Sequence, residues 1–237
     1  MDGERDGREV AERGVPWLWD QWGVSRMDTL PANPLSIELS VSHRRLWWHV
    51  ADEDEQPERW DVSADIFKLG VCGDAERHVA DLHFLVADLS GEHNLLDGVA
   101  VGEWALEFIA ETVIDPATGR LCHELEQRIT PGPPRMVVLR HVEVAEPWRR
   151  HGLAWVLLAS ALHVMAPTAR LAACRIAPTD YQCDDRVLAE LESLRAGVML
   201  EKIGFERWHE VHIVDPRNPA LVDAGIDLLT RWWPHRD

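Results

Sequence analysis

The stretch that decides the reading is RMVVLRHVEVAEPWRRHGLAWVLLASALHVM, residues 135–165. It holds two apolar runs, MVVLRHVEVA at 136–145 and GLAWVLLASALHVM at 152–165, separated by EPWRRH. The first run is rich in valine and alternates, which predicts a strand; the second has the length and period of a helix. A strand that feeds straight into a helix leaves the first helical N–H groups without backbone partners. Together with the helix dipole, worth about half a unit charge at that end, they make an anion site. Gly152 lets the backbone approach a ligand where a Cβ would intrude. Arg149, Arg150 and His151 add positive potential at the mouth, and a diphosphate suits such a turn. The spacing is not that of a P-loop, since no G-K-[ST] follows, nor is it G-x-G-x-x-G.

Downstream, RLAACRIA (170–177) reads as a second strand and DDRVLAELESLRAGVMLEKI (184–203) as a long helix. Asp184 or Asp185 is its N-cap, and Gly204 takes the position just past its end. FERWHEVHIVD (205–215) reads as a final strand and NPALVDAGIDLLTRWW (218–233) as another helix. Upstream, PGPP (131–134) breaks any preceding helix. NLLDGVAVGEWALEFIAETVI (94–114) has helical spacing, with Asn94 placed to cap it. IFKLGVC (66–72) and RHVADLHFLVADL (77–89) flank GDAE and read as a β-hairpin, preceded by an acidic loop, ADEDEQPERWD (51–61). LSIELSVSHRRLWWHV (35–50) alternates, with a break near His43–Arg45 where the phase changes. The expectation is one α/β domain with a mixed sheet over 35–237, after a tail and aromatic strap at 1–34.

The chain has 41 acidic against 24 basic residues, a formal net charge of −17, so a basic nucleic-acid footprint is not expected. No secretory signal and no run long enough to cross a bilayer is legible, which places the expected protein in the cytoplasm, away from membranes. Four scattered cysteines without a C-x-x-C pair read as free thiols. Twelve histidines invite a metal reading, but His209 and His212 lie on opposite faces of the expected strand. Asp81 and His83 share a face without a third partner, so no metal is expected. Of the twelve tryptophans, most belong in a core; the rest are available to wall a substrate pocket or a homodimer contact.

The segment 138–162 resembles the acetyl-CoA-binding motif of the GNAT superfamily of N-acetyltransferases. The family pattern, [RQ]-x-x-G-x-[GA] after a strand, is met by Arg149, Gly152 and Ala154. RAGVMLEKIGFERW (195–208) is similar to the family's last helix and its Gly-Phe turn, with Ala196, Gly204 and Phe205 in the expected places. The likeness covers about 135–214, and RLAACRIAP and ERWHEVHIVD bring it nearest to poorly characterised bacterial members.

That resemblance implies a mixed, mostly antiparallel central sheet with flanking helices, whose fourth and fifth strands (136–145 and 170–177) splay apart. The pantetheine arm of acetyl-CoA would lie in the opening, paired with the backbone of Val142 and Val144. Arg149, Arg150, His151, Gly152, Leu153 and Ala154 would hold the diphosphate. The implied activity is direct transfer of an acetyl group to a small-molecule or peptide amine. The pattern also departs from the family. Leu200 stands where the family often has an acidic tyrosine, Ser193 where it has an asparagine, and Val138 where some members have a carboxylate. Tyr181, the chain's single tyrosine, is then the candidate acid. Alternation sets His141 and Glu143 on one face of the first strand and Arg140, Val142 and Val144 on the other, three ionisable groups in a strand expected to be buried. Glu143 and His141 are the candidate bases, or else form an ion-pair network with Asp81 and His83. The alternative is an inactive acyl-CoA-binding or interaction protein with the same fold. The usual helices between the first two strands are not visible, so the acceptor cannot be carried over.

Overall fold

Residues 135–165 fold as the sequence predicts, and the rest of the sheet assembles around them. A computed structural model describes residues 30–44, 57–90, 104–178 and 185–233. Its strands are β1 (Ile37–His43), β2 (Glu58–Ile66), β3 (His78–Asp88), β4 (Ile114–Asp115), β5 (Arg120–Leu121), β6 (Arg135–Val144), β7 (Leu171–Arg175), β8 (Glu206–Trp208) and β9 (Val211–Val214). The helices are α1 (Trp104–Val113), α2 (His123–Glu126), α3 (Leu153–Met165), α4 (Arg186–Lys202) and α5 (Pro219–Trp232).

Seven strands form one sheet in the order β1-β2-β3-β6-β7-β9-β8, and β4 and β5 form a separate two-stranded ribbon. Every neighbour in the large sheet is antiparallel except β6 and β7. A parallel pair needs a crossover, and α3 supplies it. Apolar residues cover α3 nearly all round, including Leu153, Trp155, Leu158, Leu162 and Met165, as a helix packed on more than one side requires. It lies against the sheet face that carries Val62, Ala64, Leu82, Phe84, Val142 and Val144. On the opposite face, α1 covers only one end, through Leu106, Ile109, Ala110 and Val113 against Leu85, Ala87, Met136, Val138 and Ala173.

Four expectations change. The strand β2 lies at 58–66, across the expected acidic loop, and residues 67–72 of the expected strand are instead a turn. There the Gly70 amide bonds back to the Phe67 carbonyl at 2.7 Å, and Phe67, Leu69 and Val71 are exposed. An apolar run was mistaken for burial; the alternation of Trp60, Val62, Ala64 and Ile66 was the true signal. The final strand is two, β8 and β9, because His209 adopts a positive φ of 53° and reverses the chain. His209 is therefore a turn residue, not one facing across a strand from His212.

The third change concerns β6. Its register with β3 shifts between His83 and Phe84, leaving Arg140 as the extra residue of a β-bulge, so it drops out of the expected alternation with Val142 and Val144. Fourth, the presumed burial of the strand's charges holds only in part: Arg140 and His141 are half-buried and Glu143 is exposed. Asn94 and Tyr181 lie outside the described residues. No helix of the described residues is long and apolar enough to cross a membrane.

Candidate functional site

The parallel ladder between β6 and β7 has three rungs, Met136–Leu171, Val137–Ala172 and Val138–Ala173. It then stops, although β6 runs on to Val144 and β7 to Arg175. Which backbone groups face the opening follows from one hydrogen bond. The Ala145 amide donates to the Val79 carbonyl at 2.8 Å, so the backbone of Ala145, and by alternation of Glu143 and His141, turns toward β3. The backbone of Val142 and Val144 turns the other way, toward the opening. Their side chains are buried against α3. A strand edge that runs on past its ladder is a template for another extended chain, although Val142 and Val144 are themselves only 1% and 2% exposed.

The opening leads into the turn between β6 and α3. Trp148 anchors that turn: its side chain is fully buried and its indole N–H donates to the Glu76 carbonyl at 2.9 Å. Arg149 Nε donates to the Val144 carbonyl at 2.8 Å, which braces the turn and occupies one of the acceptors expected for the pantetheine arm. Arg150 has a positive φ of 70° and Gly152 one of 73°. Gly152 is the N-cap of α3 and contributes no side-chain cap bond, so the helix start is capped by nothing of its own. A Cβ built on Gly152 would meet nothing within 4 Å beyond its chain neighbours, which marks open space beside that glycine, whereas Leu153 and Ala154 are fully buried, backbone included. Arg150 is exposed and His151 half-exposed. Burial lowers the pKa of His151, so at neutral pH the arginines carry the positive charge here.

The second group of residues lies on the sheet face that α1 leaves uncovered. His141 and Glu143 project there, with Glu143 Oε2 3.5 Å from His141 Nε2. The register sets Asp61, His83 and His141 directly across three neighbouring strands, and Ser63, Asp81 and Glu143 in the next row. His83 Nδ1 lies 2.7 Å from Asp61 Oδ1, and the His83 and His141 rings stack with centroids 5.7 Å apart. Asp81 does not pair with Glu143; it binds His78 Nε2 at 3.0 Å, while His78 Nδ1 lies 3.1 Å from Asp65. Burial works against a charge on His78, but the two carboxylates outweigh it and raise its pKa. For His141 burial comes first and the His83 charge adds to it; Glu143 and Asp81 oppose them, and the pKa is lowered. Burial, then the Arg59 charge, lowers that of Arg140.

The structure thus brings Glu143 and His141 together, beside the strand whose edge opens. It adds Asp61, Asp65 and His78 on the neighbouring strands. The alternation of Asp61 and Asp65 with Val62 and Ala64 is legible, but the register that sets them against His83 and His78 of β3 is not. Leu200 is buried in the core and faces no opening. Among the described residues no group of three or more His, Cys, Asp or Glu is arranged to hold a metal ion. Cys72, Cys122 and Cys174 are free thiols. Comparisons with protein-family models, curated proteins and solved structures found no match to the chain.

Proposed function

We propose that the protein is a GNAT-type N-acetyltransferase that moves an acetyl group from acetyl-CoA to an amine. The observation that carries this reading is the β6–β7 ladder, which ends after three rungs on the side leading to the open start of α3. β6 and β7 are the fourth and fifth strands of the large sheet in chain order, as the resemblance implies. In this reading an extended arm pairs with the edge at Val142 and Val144, and a diphosphate sits at the start of α3 beside Gly152, where there is open space. In the reaction the amine nitrogen bonds to the thioester carbon and the carbon–sulfur bond breaks. The thiolate leaves and takes up a proton, and an ammonium acceptor must first lose one. His141 and Glu143 stand on the face from which an acceptor would approach β6. With Leu200 buried, α4 supplies no acid at that position, which removes a contribution of roughly 10²–10⁴ in rate.

The test is thermal unfolding with and without acetyl-CoA. Saturating ligand should raise Tm, since a ligand bound to the folded state stabilises it, by about 2.7 kcal/mol at a hundredfold excess over Kd. Gly152→Glu, which sets a carboxylate over the same amides, should abolish the shift; an unchanged shift would place the ligand elsewhere. The buried Leu200 favours a second reading, a coenzyme-binding protein without turnover. Release of free thiol with an amine library separates the two.

A further inference from the structure

Asp61, His83 and His141 form one row across β2, β3 and β6, each directly opposite the next. The bulge makes the row. Were the ladder regular through Arg140, its guanidinium rather than an imidazole would stand opposite His83. A carboxylate can only accept, so His83 Nδ1–H donates to Asp61 at 2.7 Å, and that bond sets the plane of the His83 ring. The His141 ring lies nearly parallel to it, 20° between planes at 5.7 Å. On its other side Glu143 approaches Nε2 at 3.5 Å, too far for a short charged bond. The stack is therefore a second restraint on how His141 is aimed, beside Glu143.

We propose that Asp61 and His83 are a positioning pair for His141: Asp61 fixes the His83 ring, and that ring, stacked on His141, holds His141 in the orientation in which it takes a proton from the acceptor amine. This rests on the reading that an amine is acylated beside β6. The charged groups facing His141 are His83 and Asp81 from β3 and Glu143 on its own strand, with Asp61 of β2 behind His83 and Arg140 next to it in the chain. Two stacked imidazoles resist carrying two protons, which supports a neutral His141 near pH 7. A neutral imidazole keeps a lone pair on one ring nitrogen, as a base must.

The experiment is an NMR pH titration of the His141 ring in the full chain, assigned by its loss in His141→Gln, together with pH profiles of kcat/KM. His83 and Asp61 are each about half exposed (48% and 51%), so replacing them should leave the fold standing. In His83→Gln the His141 midpoint should rise by about half a unit or more. The acid limb of the rate profile should move with it, and kcat should fall roughly tenfold from lost orientation. His83→Phe, which keeps a flat ring for the stack, should recover part of kcat while leaving the raised midpoint. An unmoved midpoint in His83→Gln overturns the coupling between the two rings. Turnover whose acid limb ignores His83 overturns the positioning role and leaves the acyl-transfer reading intact. A shifted midpoint with no amine acetylated by any variant overturns the acyl-transfer reading, and the catalytic part of this proposal with it.

Discussion

At the scale of single residues, glycines with positive φ fall into two kinds. Gly204 ends α4 at φ 98°, where its amide bonds to the Glu201 carbonyl at 3.0 Å and the Phe205 amide to that of Leu200 at 3.0 Å. A Cβ there would stand 2.9 Å from both Ala220 and Asn218 Nδ2, so strain and collision add. Gly204→Ala should cost roughly 2–4 kcal/mol in urea unfolding. Gly152→Ala meets open space and should cost only about 1–2 kcal/mol, from the left-handed backbone alone. Equal losses at the two sites would show that crowding at Gly204 contributes nothing. Both glycines were legible from their place at helix ends. Their difference was not, because it depends on what α5 brings against one of them.

At the scale of elements, the N-cap of α4 is legible in the sequence and the strand registers are not. Asp185 accepts from the amides of Val187 at 2.9 Å and Leu188 at 3.3 Å, as an N-cap aspartate should. Asp185→Ala should therefore lower stability by about 1 kcal/mol in urea unfolding, with Asp185→Asn close to the parent; a larger loss in the asparagine variant would refute capping as its role. Asn218 caps α5 in the same way, through the Ala220 amide at 3.0 Å. α4 also shows why its burial was hard to foresee. Ala189, Ala196 and Leu200 face the core, yet Val187, Leu191, Leu194 and Val198 are exposed on its other side. Apolar residues on both sides blur the single stripe from which an inner face is read. The strand β2 is obscured for a related reason: it lies within an acid-rich stretch, while the neighbouring turn carries the apolar but exposed Phe67, Leu69 and Val71.

At the scale of the whole molecule, folding holds several histidines away from water in their neutral form. His212 is buried under Gly197, whose would-be Cβ lies 3.2 Å from its Nε2, and burial, then Arg207, lowers its pKa. His141 and His151 are lowered as well, burial leading in each. A histidine whose folded pKa is depressed gives stability that is present above its ordinary value of about 6.5 and is lost as pH falls through that value toward the folded one. The raised His78 acts in the opposite sense: its contribution is present at low pH and lost as pH rises through its folded value. Between about pH 7.5 and 5.5 Tm should fall, and the fall should be smaller in His212→Gln by roughly 2–4 °C for each kcal/mol removed. An identical slope in parent and variant would mean that His212 titrates alike in the folded and unfolded chain, so that burial does not lower it. The sequence by itself determined the local parts: the strand, turn and helix of 135–165, the caps, and the glycine at the head of α3, since each depends on neighbours within a few positions. Only the tertiary structure decided that the β6–β7 ladder stops at Val138 and that a bulge at Arg140 sets His141 opposite His83. Pairing between strands far apart in the chain is settled by packing on both faces at once, and no stretch of one strand records the register of the next.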